Sequence, residues 1–184
     1  MKQQSLFSPR NMAMTALFTA LTCVLAPWSL PIGPVPISLT TLVLFLSLYV
    51  LGAQKAALSY LLYLLLGLAG LPVFSGFTGG IAKLAGPTGG YILGFLPMLF
   101  ITGWFLKKFE GKFWASLAGM VLGTAVCYAF GTVWFVFLMG TDLLSALAVC
   151  VFPFLPGDLV KMLFAHALGT ALRRRLGEAR LLQG

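Results

Sequence analysis

Asp158 and Lys161 stand three residues apart in "FLPGDLVKMLF", Phe154 to Phe164, with Leu, Val, Met and Phe around them. On a helix that spacing puts a carboxylate and an ammonium on one face. Such a pair can act as a salt bridge at a helix start, where an acid also suits the positive end of the helix dipole. It can equally offer a ligand an acceptor and a donor side by side. Pro156 and Gly157 precede the pair, so Asp158 falls in the first turn of a helix. A second candidate is "GPTGGYILGF", Gly86 to Phe95, where Gly86, Gly90 and Gly94 recur every four residues. That recurrence serves close helix packing. It also leaves backbone bare beside Tyr91, whose ring and hydroxyl could line a pocket. His166 is the only histidine and lies two turns beyond Asp158 in an apolar run, which favours a packed, hydrogen-bonded residue over a proton relay.

Those few polar residues sit in an extremely apolar chain. Of 184 residues, 60% are hydrophobic and 9% are charged. A soluble domain carries about a quarter of its residues as charge. The composition therefore predicts an integral membrane protein. A net charge of +8 could mean nucleic acid, but the basic residues lie in gaps between hydrophobic runs rather than in aromatic-interleaved stripes, so no nucleic-acid partner is expected. Cys23, Cys127 and Cys150 form no CxxC pair or Cys/His cluster, so no metal site is expected.

About 20 helical residues cross a hydrocarbon core of roughly 30 Å. Six stretches qualify, at about Asn11 to Trp28, Ser38 to Gly52, Lys55 to Leu71, Gly89 to Leu106, Phe113 to Leu138 and Pro156 to Arg175. The basic start and apolar run of the first could be a signal peptide, but more spans follow and no clear cleavage site ends it. The expected fold class is all-α, a polytopic membrane protein of six transmembrane helices, with residues 1–184 forming one membrane domain. Ten of the twelve Lys and Arg residues fall in the gaps on one side of such a topology, among them Lys2, Arg10, Lys55, Lys107, Arg173 and Arg180. That side should be cytoplasmic, with both termini inside. The opposite gaps are long and rich in Pro or Gly, the composition of ordered loops that carry function. Pro27 to Ser38 and Val73 to Gly89 are expected to form a lid over the outer mouth.

Other features are simpler. Gly119 and Gly123 form a packing step. Ala16 and Ala20 make a small-residue step on the first helix that lets another helix approach, internal or from a partner. Most tryptophans fall near span ends, where interfacial anchoring explains them. There is no GxxxxGK[ST] loop, so the chain should not hydrolyse ATP itself, and no HExxH, GxSxG or paired catalytic carboxylates. No enzyme activity or cofactor is expected. With only four acidic residues, the pattern suits a binding protein better than an ion-coupled pump.

Four segments, "VPISLTTL", "LLYLLLGLAGLPVFSGFTGG", "GPTGGYILGF" and "PGDLVK", together resemble the BioY family, the biotin-binding S components of energy-coupling factor (ECF) transporters. The resemblance runs from about Ala13 to Leu176. It implies high-affinity biotin capture from outside the bacterial inner membrane. It also implies partnership with a transmembrane coupling protein and two ABC-type ATPases, although some members function without dedicated partners. It gives Ala16 and Ala20 the role of meeting the coupling protein. Carried onto this chain, the family's pocket would comprise Asp158, Lys161, Tyr91, Gly90, the paired glycines Gly79 and Gly80, and the polar residues Ser38 and Thr40. This chain departs in reading "PISLTT" where the family often has "PITLQT", so Thr40 replaces a glutamine, and in lacking the Arg some members carry before the paired glycines. For biotin, Asp158 could accept a ureido N–H in a charge-assisted bond while Lys161 keeps it ionised. Trp28, Phe74, Phe77 and Tyr91 could supply apolar walls, and Lys83 could meet the valerate carboxylate. The alternatives are an S component for riboflavin or thiamine, a membrane enzyme or its chaperone-like subunit, and a structural membrane subunit in which the pair is only a staple.

Overall fold

A computed structural model describes residues 8–31, 35–109 and 112–178. Lys2, Arg180 and part of the Pro27–Ser38 loop lie outside the described residues, so the orientation argument keeps only its other cations there.

Ser8 opens α1 (Pro9–Leu25), accepting a hydrogen bond from the Asn11 N–H, with Pro9 in the first turn where a missing N–H costs nothing. The chain then makes a two-residue antiparallel pair, β1 (Ser29–Leu30) with β2 (Ile37–Ser38). α2 (Thr40–Leu51) and α3 (Ala53–Leu68) follow, divided by Gly52 alone. Gly52 has φ of 76°, a backbone conformation that glycine reaches without a Cβ penalty, so the chain reverses in one residue. A short α4 (Ile81–Ala85) precedes α5 (Gly89–Lys108), α6 (Phe113–Met139), α7 (Leu143–Cys150) and α8 (Leu155–Glu178). α6 ends on left-handed Gly140, and Asp142 caps α7 by accepting from the Ser145 N–H.

α5 and α6 are apolar and long enough to cross a membrane singly. α7 and α8, bent by 49° at their junction, meet the same test together. α2, at 12 residues, rises only about 18 Å, so any crossing must include its loops. The sequence left three elements unforeseen. The hairpin and α4 sit in stretches whose Pro and Gly content reads as loop, and α7 lies within the gap assigned between the fifth and sixth spans.

α5 packs most extensively on α6, α2 on α8, and α1 on α3. Small residues bring α5 and α6 together, as GxxxG spacing predicts. A methyl on Gly123 would meet Thr102 Oγ1 at 2.3 Å, and one on Gly131 would meet the Tyr91 ring at 2.3 Å. The core is aromatic, with Tyr60, Phe45 and Phe74 fully buried. His166 is a packed residue, with Nδ1 2.8 Å from the Tyr49 hydroxyl and its ring edge-on to Phe113. Ala16 and Ala20 lie on the exposed face of α1, whereas Thr15, Phe18, Thr19 and Thr22 face inward.

Candidate functional site

α8 begins immediately after the α7 bend, and its first turn delivers Asp158 to the protein interior. The side chain is buried, yet both carboxylate oxygens are engaged. Lys161 Nζ sits 2.9 Å from Oδ1, one turn further along the same helix. The Tyr128 hydroxyl, from the middle of α6, donates to Oδ2. A carboxylate held in this way has its negative charge met by one cation and one neutral donor, as a buried charge requires.

The three groups line one wall of a cavity among α2, α3, α5, α6 and the α7–α8 junction. Its non-atom space comes to about 740 Å³, counting the open part. Aromatic side chains, aliphatic residues and several hydroxyls form the rest. Tyr63 and Phe74 meet edge to face at 5.5 Å, and Tyr60 and Phe95 at 5.8 Å. Tyr91 lies edge-on to Tyr128 at 6.4 Å between centroids. Its hydroxyl is 3.3 Å from Thr132 Oγ1 and donates weakly to the Cys150 carbonyl at 3.4 Å. At the start of α2, Ser38 donates to Thr40 Oγ1 at 2.8 Å and accepts from the Thr40 N–H at 3.4 Å.

Two more hydroxyls in this lining, Thr41 Oγ1 and Thr124 Oγ1, are buried with no hydrogen-bond partner. Unpaired buried hydroxyls are costly and uncommon. Apolar walls, one neutralised acid–base pair and spare hydroxyls suit an uncharged polar ring system on an apolar frame.

Of the residues expected from sequence, the structure brings Asp158, Lys161, Tyr91, Ser38, Thr40 and Phe74 to this cavity. It leaves Gly79, Gly80, Gly90, Lys83 and Trp28 out of the lining. Gly90 faces α6 instead, where an added Cβ would meet Trp134 Cβ at 2.3 Å, so its small size serves helix packing. Gly79 is packed against the Leu71 carbonyl, and the Gly80 N–H donates to the Gly67 carbonyl at 2.7 Å. Lys83, on α4, is half-buried, and that burial lowers its pKa from the ordinary lysine value. Trp28 is 63% exposed and meets Phe77 edge to face at 5.8 Å. The Gly76 N–H also donates to the Pro27 carbonyl at 3.0 Å, so these two loops contact each other beside the cavity.

Sequence reasoning missed Thr41, Tyr60, Tyr63 and Phe95 in the lining, and above all Tyr128 and Thr124. Both lie in "GTAVCYAFG", within an unbroken apolar helix. Their spacing of four residues puts them on one face, but nothing local says that this face meets Asp158.

The family model described as "BioY family" matches residues 1–178. A protein named "Biotin transporter BioY", from Thermotoga maritima, is 40% identical over 90% of this chain and 96% of its own length. "Biotin transporter BioY2" of Lactococcus lactis subsp. cremoris is 38% identical over 90% of this chain and 91% of its own. Among solved structures, the crystal structure of "the S-component for biotin from an ECF-type ABC transporter" superimposes with a TM-score of 0.82 at 32% identity, covering 89% of this chain and 90% of that one. Since sequence and fold agree along almost the whole length, this chain belongs to the BioY family and is an all-α, multi-pass membrane protein.

Proposed function

We propose that this chain binds biotin with high affinity at the cavity headed by Asp158 and Lys161, and takes part in its uptake across the bacterial inner membrane as an ECF-type S component. The observation that carries this reading is the buried Asp158–Lys161–Tyr128 cluster facing an aromatic-walled space, in a chain whose relatives are named biotin transporters. Biotin's ureido ring offers two N–H donors and a carbonyl. Asp158 is the acceptor for an N–H, and Lys161, paired with it at 2.9 Å, donates to the ring carbonyl. Phe74 and Tyr91 flank the apolar bicycle, with Ser38 and Thr40 at the α2 end.

Residues 1–184 form one membrane domain, with six spans built on α1, α2, α3, α5, α6 and α8 and with both termini cytoplasmic. Lys and Arg placement supports that orientation. The loops carrying Trp28, Gly79, Gly80 and Lys83 act as the lid, and Lys83 meets the ligand's carboxylate when the lid shuts. Gly90 holds the Tyr91 helix against α6. No covalent bond changes, so the protein is a carrier component and not an enzyme.

Equilibrium titration of the purified protein tests the reading. Biotin should bind stoichiometrically and riboflavin and thiamine should not. No biotin binding, or preference for another vitamin, rejects it. Tyr128→Phe removes one donor from Asp158 and should weaken biotin binding about tenfold by titration calorimetry, since a hydrogen bond to a charged group contributes roughly 1.5–3 kcal/mol in part recoverable from water.

The reading extends to a transmembrane coupling protein and two ABC-type ATPases as partners, or to solitary function where these are missing. Ala16 and Ala20, exposed on α1, are the proposed contact with the coupling protein. Ala16→Leu/Ala20→Leu should abolish co-purification with that protein and leave biotin titration unchanged. Retained co-purification moves the interface elsewhere.

A further inference from the structure

Buried hydroxyls on the helices of this chain mostly settle on backbone carbonyls. Thr19 donates to the Thr15 carbonyl at 3.0 Å, Thr22 to that of Phe18 at 2.7 Å and Ser47 to that of Leu44 at 2.7 Å, each within its own helix. Thr102 donates across from α5 to the Gly119 carbonyl of α6 at 3.0 Å. Such bonds are the ordinary recourse of Ser and Thr in an apolar helix.

Thr41 and Thr124 do not follow this pattern. Among the described residues, their Oγ1 atoms are the only buried side-chain oxygens or nitrogens without a hydrogen-bond partner. Thr124 is 4% exposed and sits midway along α6, with the Met120 carbonyl four residues back, yet its hydroxyl does not use it. Thr41 lies in the first turn of α2, next to Thr40, whose hydroxyl already accepts from Ser38. Two different helices therefore present one unpaired hydroxyl each, and both residues line the cavity of Asp158. A buried hydroxyl without a partner costs free energy. Two such costs meeting in one space point to a ligand as the shared partner.

The ligand atoms they meet follow from counting donors and acceptors, given the biotin reading on which this inference rests. A ureido ring has two N–H donors and a carbonyl with two lone pairs. Asp158 takes one N–H and Lys161 one lone pair. One N–H and one lone pair remain, and a hydroxyl can serve either. Thr124 lies four residues along α6 from Tyr128, on the same face and about 6 Å of rise away, and Tyr128 donates to the Asp158 carboxylate. It is thus one turn from the acid's own partner. The ring sulfur, by contrast, is only a weak acceptor. We propose that Thr124 and Thr41 are specificity-determining residues: Thr124 Oγ1 accepts the ureido N–H that Asp158 leaves, and Thr41 Oγ1 donates to the ureido carbonyl beside Lys161. With the acid–base pair they satisfy each polar position of the ring, so the site selects a cyclic urea over rings that lack one of those atoms.

Titration calorimetry and thermal unfolding of the purified full-length protein test this. Thr124→Val keeps the shape and removes the hydroxyl. It should weaken biotin binding about 30-fold, because a ligand N–H is left buried and unpaired, and Thr41→Val about fivefold, because Lys161 still serves the carbonyl. Neither should lower the thermal midpoint of the ligand-free protein, since neither hydroxyl ties one part of the fold to another. Thr124→Ser keeps the hydroxyl and should stay within about threefold of the unaltered protein. Thr102→Val removes a hydroxyl that joins α5 to α6, and should do the reverse, lowering the midpoint with affinity unchanged. Thr41→Val, on another helix, decides the matter if Thr124→Val does not fold. Dethiobiotin, which lacks the sulfur, and biotin methyl ester, which lacks the free carboxylate, should show the same losses as biotin. Unchanged affinity or a lowered midpoint in both Val variants, or a loss that vanishes with dethiobiotin or with the ester, would overturn this assignment and leave biotin binding standing. An unaltered protein that does not bind biotin would overturn the biotin reading, and this inference with it.

Discussion

Asp158→Asn should lower biotin affinity by about 100-fold or more, measured by equilibrium titration of purified protein. The argument begins with what the carboxylate does at rest. It accepts from Tyr128 on one oxygen and from Lys161 on the other, with its residue only 6% exposed. Neither partner saturates it, since an ionised carboxylate has about four lone-pair positions. The remaining positions are the acceptor capacity available to a ligand N–H. An asparagine of the same shape keeps one acceptor and places an NH₂ where the other oxygen was. In place of Oδ1 that NH₂ confronts the Lys161 ammonium, and in place of Oδ2 it removes the acceptor beside Tyr128 that a ligand N–H would use. Truncating one member of a buried, hydrogen-bonded charge pair costs roughly 2–5 kcal/mol in binding, and about 1.4 kcal/mol is a factor of ten. A change below about threefold would show that Asp158 makes no ligand contact.

Lys161→Met should have the largest effect on the protein itself. The side chains of Lys161 and Asp158 are 13% and 8% exposed, so solvent screens neither. Without the ammonium, the carboxylate is held by the Tyr128 hydroxyl alone. Leaving one member of a buried pair uncompensated costs about 3–5 kcal/mol. For a chain of this length that lowers the thermal midpoint by on the order of 10 °C, read by scanning calorimetry or by loss of monodisperse protein after heating. Asp158→Leu/Lys161→Met removes both charges and should restore most of the stability, because an apolar pair of similar volume replaces a buried salt bridge at little cost. It should not restore biotin binding. A structural staple predicts that both properties return together, so the double variant separates the two roles for this pair.

The parts of the molecule written plainly in the sequence are those whose physics is local. α5 and α6 announce themselves as long apolar runs, and the structure has them at Gly89–Lys108 and Phe113–Met139. Asp158 and Lys161 stand out because charge in so apolar a chain is expensive, and their spacing on one helix is legible without any partner. Tyr91 is found through the small residues that precede it. What stays hidden depends on which helices meet. Tyr128 reaches Asp158 only because α6 passes α8 at one height, and Thr124 has its unpaired hydroxyl in the cavity for the same reason. Gly90 shows the reverse error: bare backbone looks like pocket lining, while its neighbour across the interface is Trp134. α7 was concealed because it has only eight residues, Leu143–Cys150, too few to cross a membrane, so its stretch was assigned to a gap between spans.

The contact between the Pro27–Ser38 and Val73–Gly89 loops has a kinetic consequence if they form the proposed lid. One backbone hydrogen bond, Gly76 to Pro27, and one edge-to-face ring pair, Trp28 with Phe77, fasten them. Together these are worth about 1–3 kcal/mol in water-exposed positions. In the proposed lid, these two contacts taken alone would leave the mouth open in roughly one molecule in six to one in 160. Capture through the proposed lid would have to wait for that open fraction, so arrival would be slowed by its inverse. Contacts of a seated ligand with both loops would add to the fastening of the proposed lid, so departure would be slowed more than arrival.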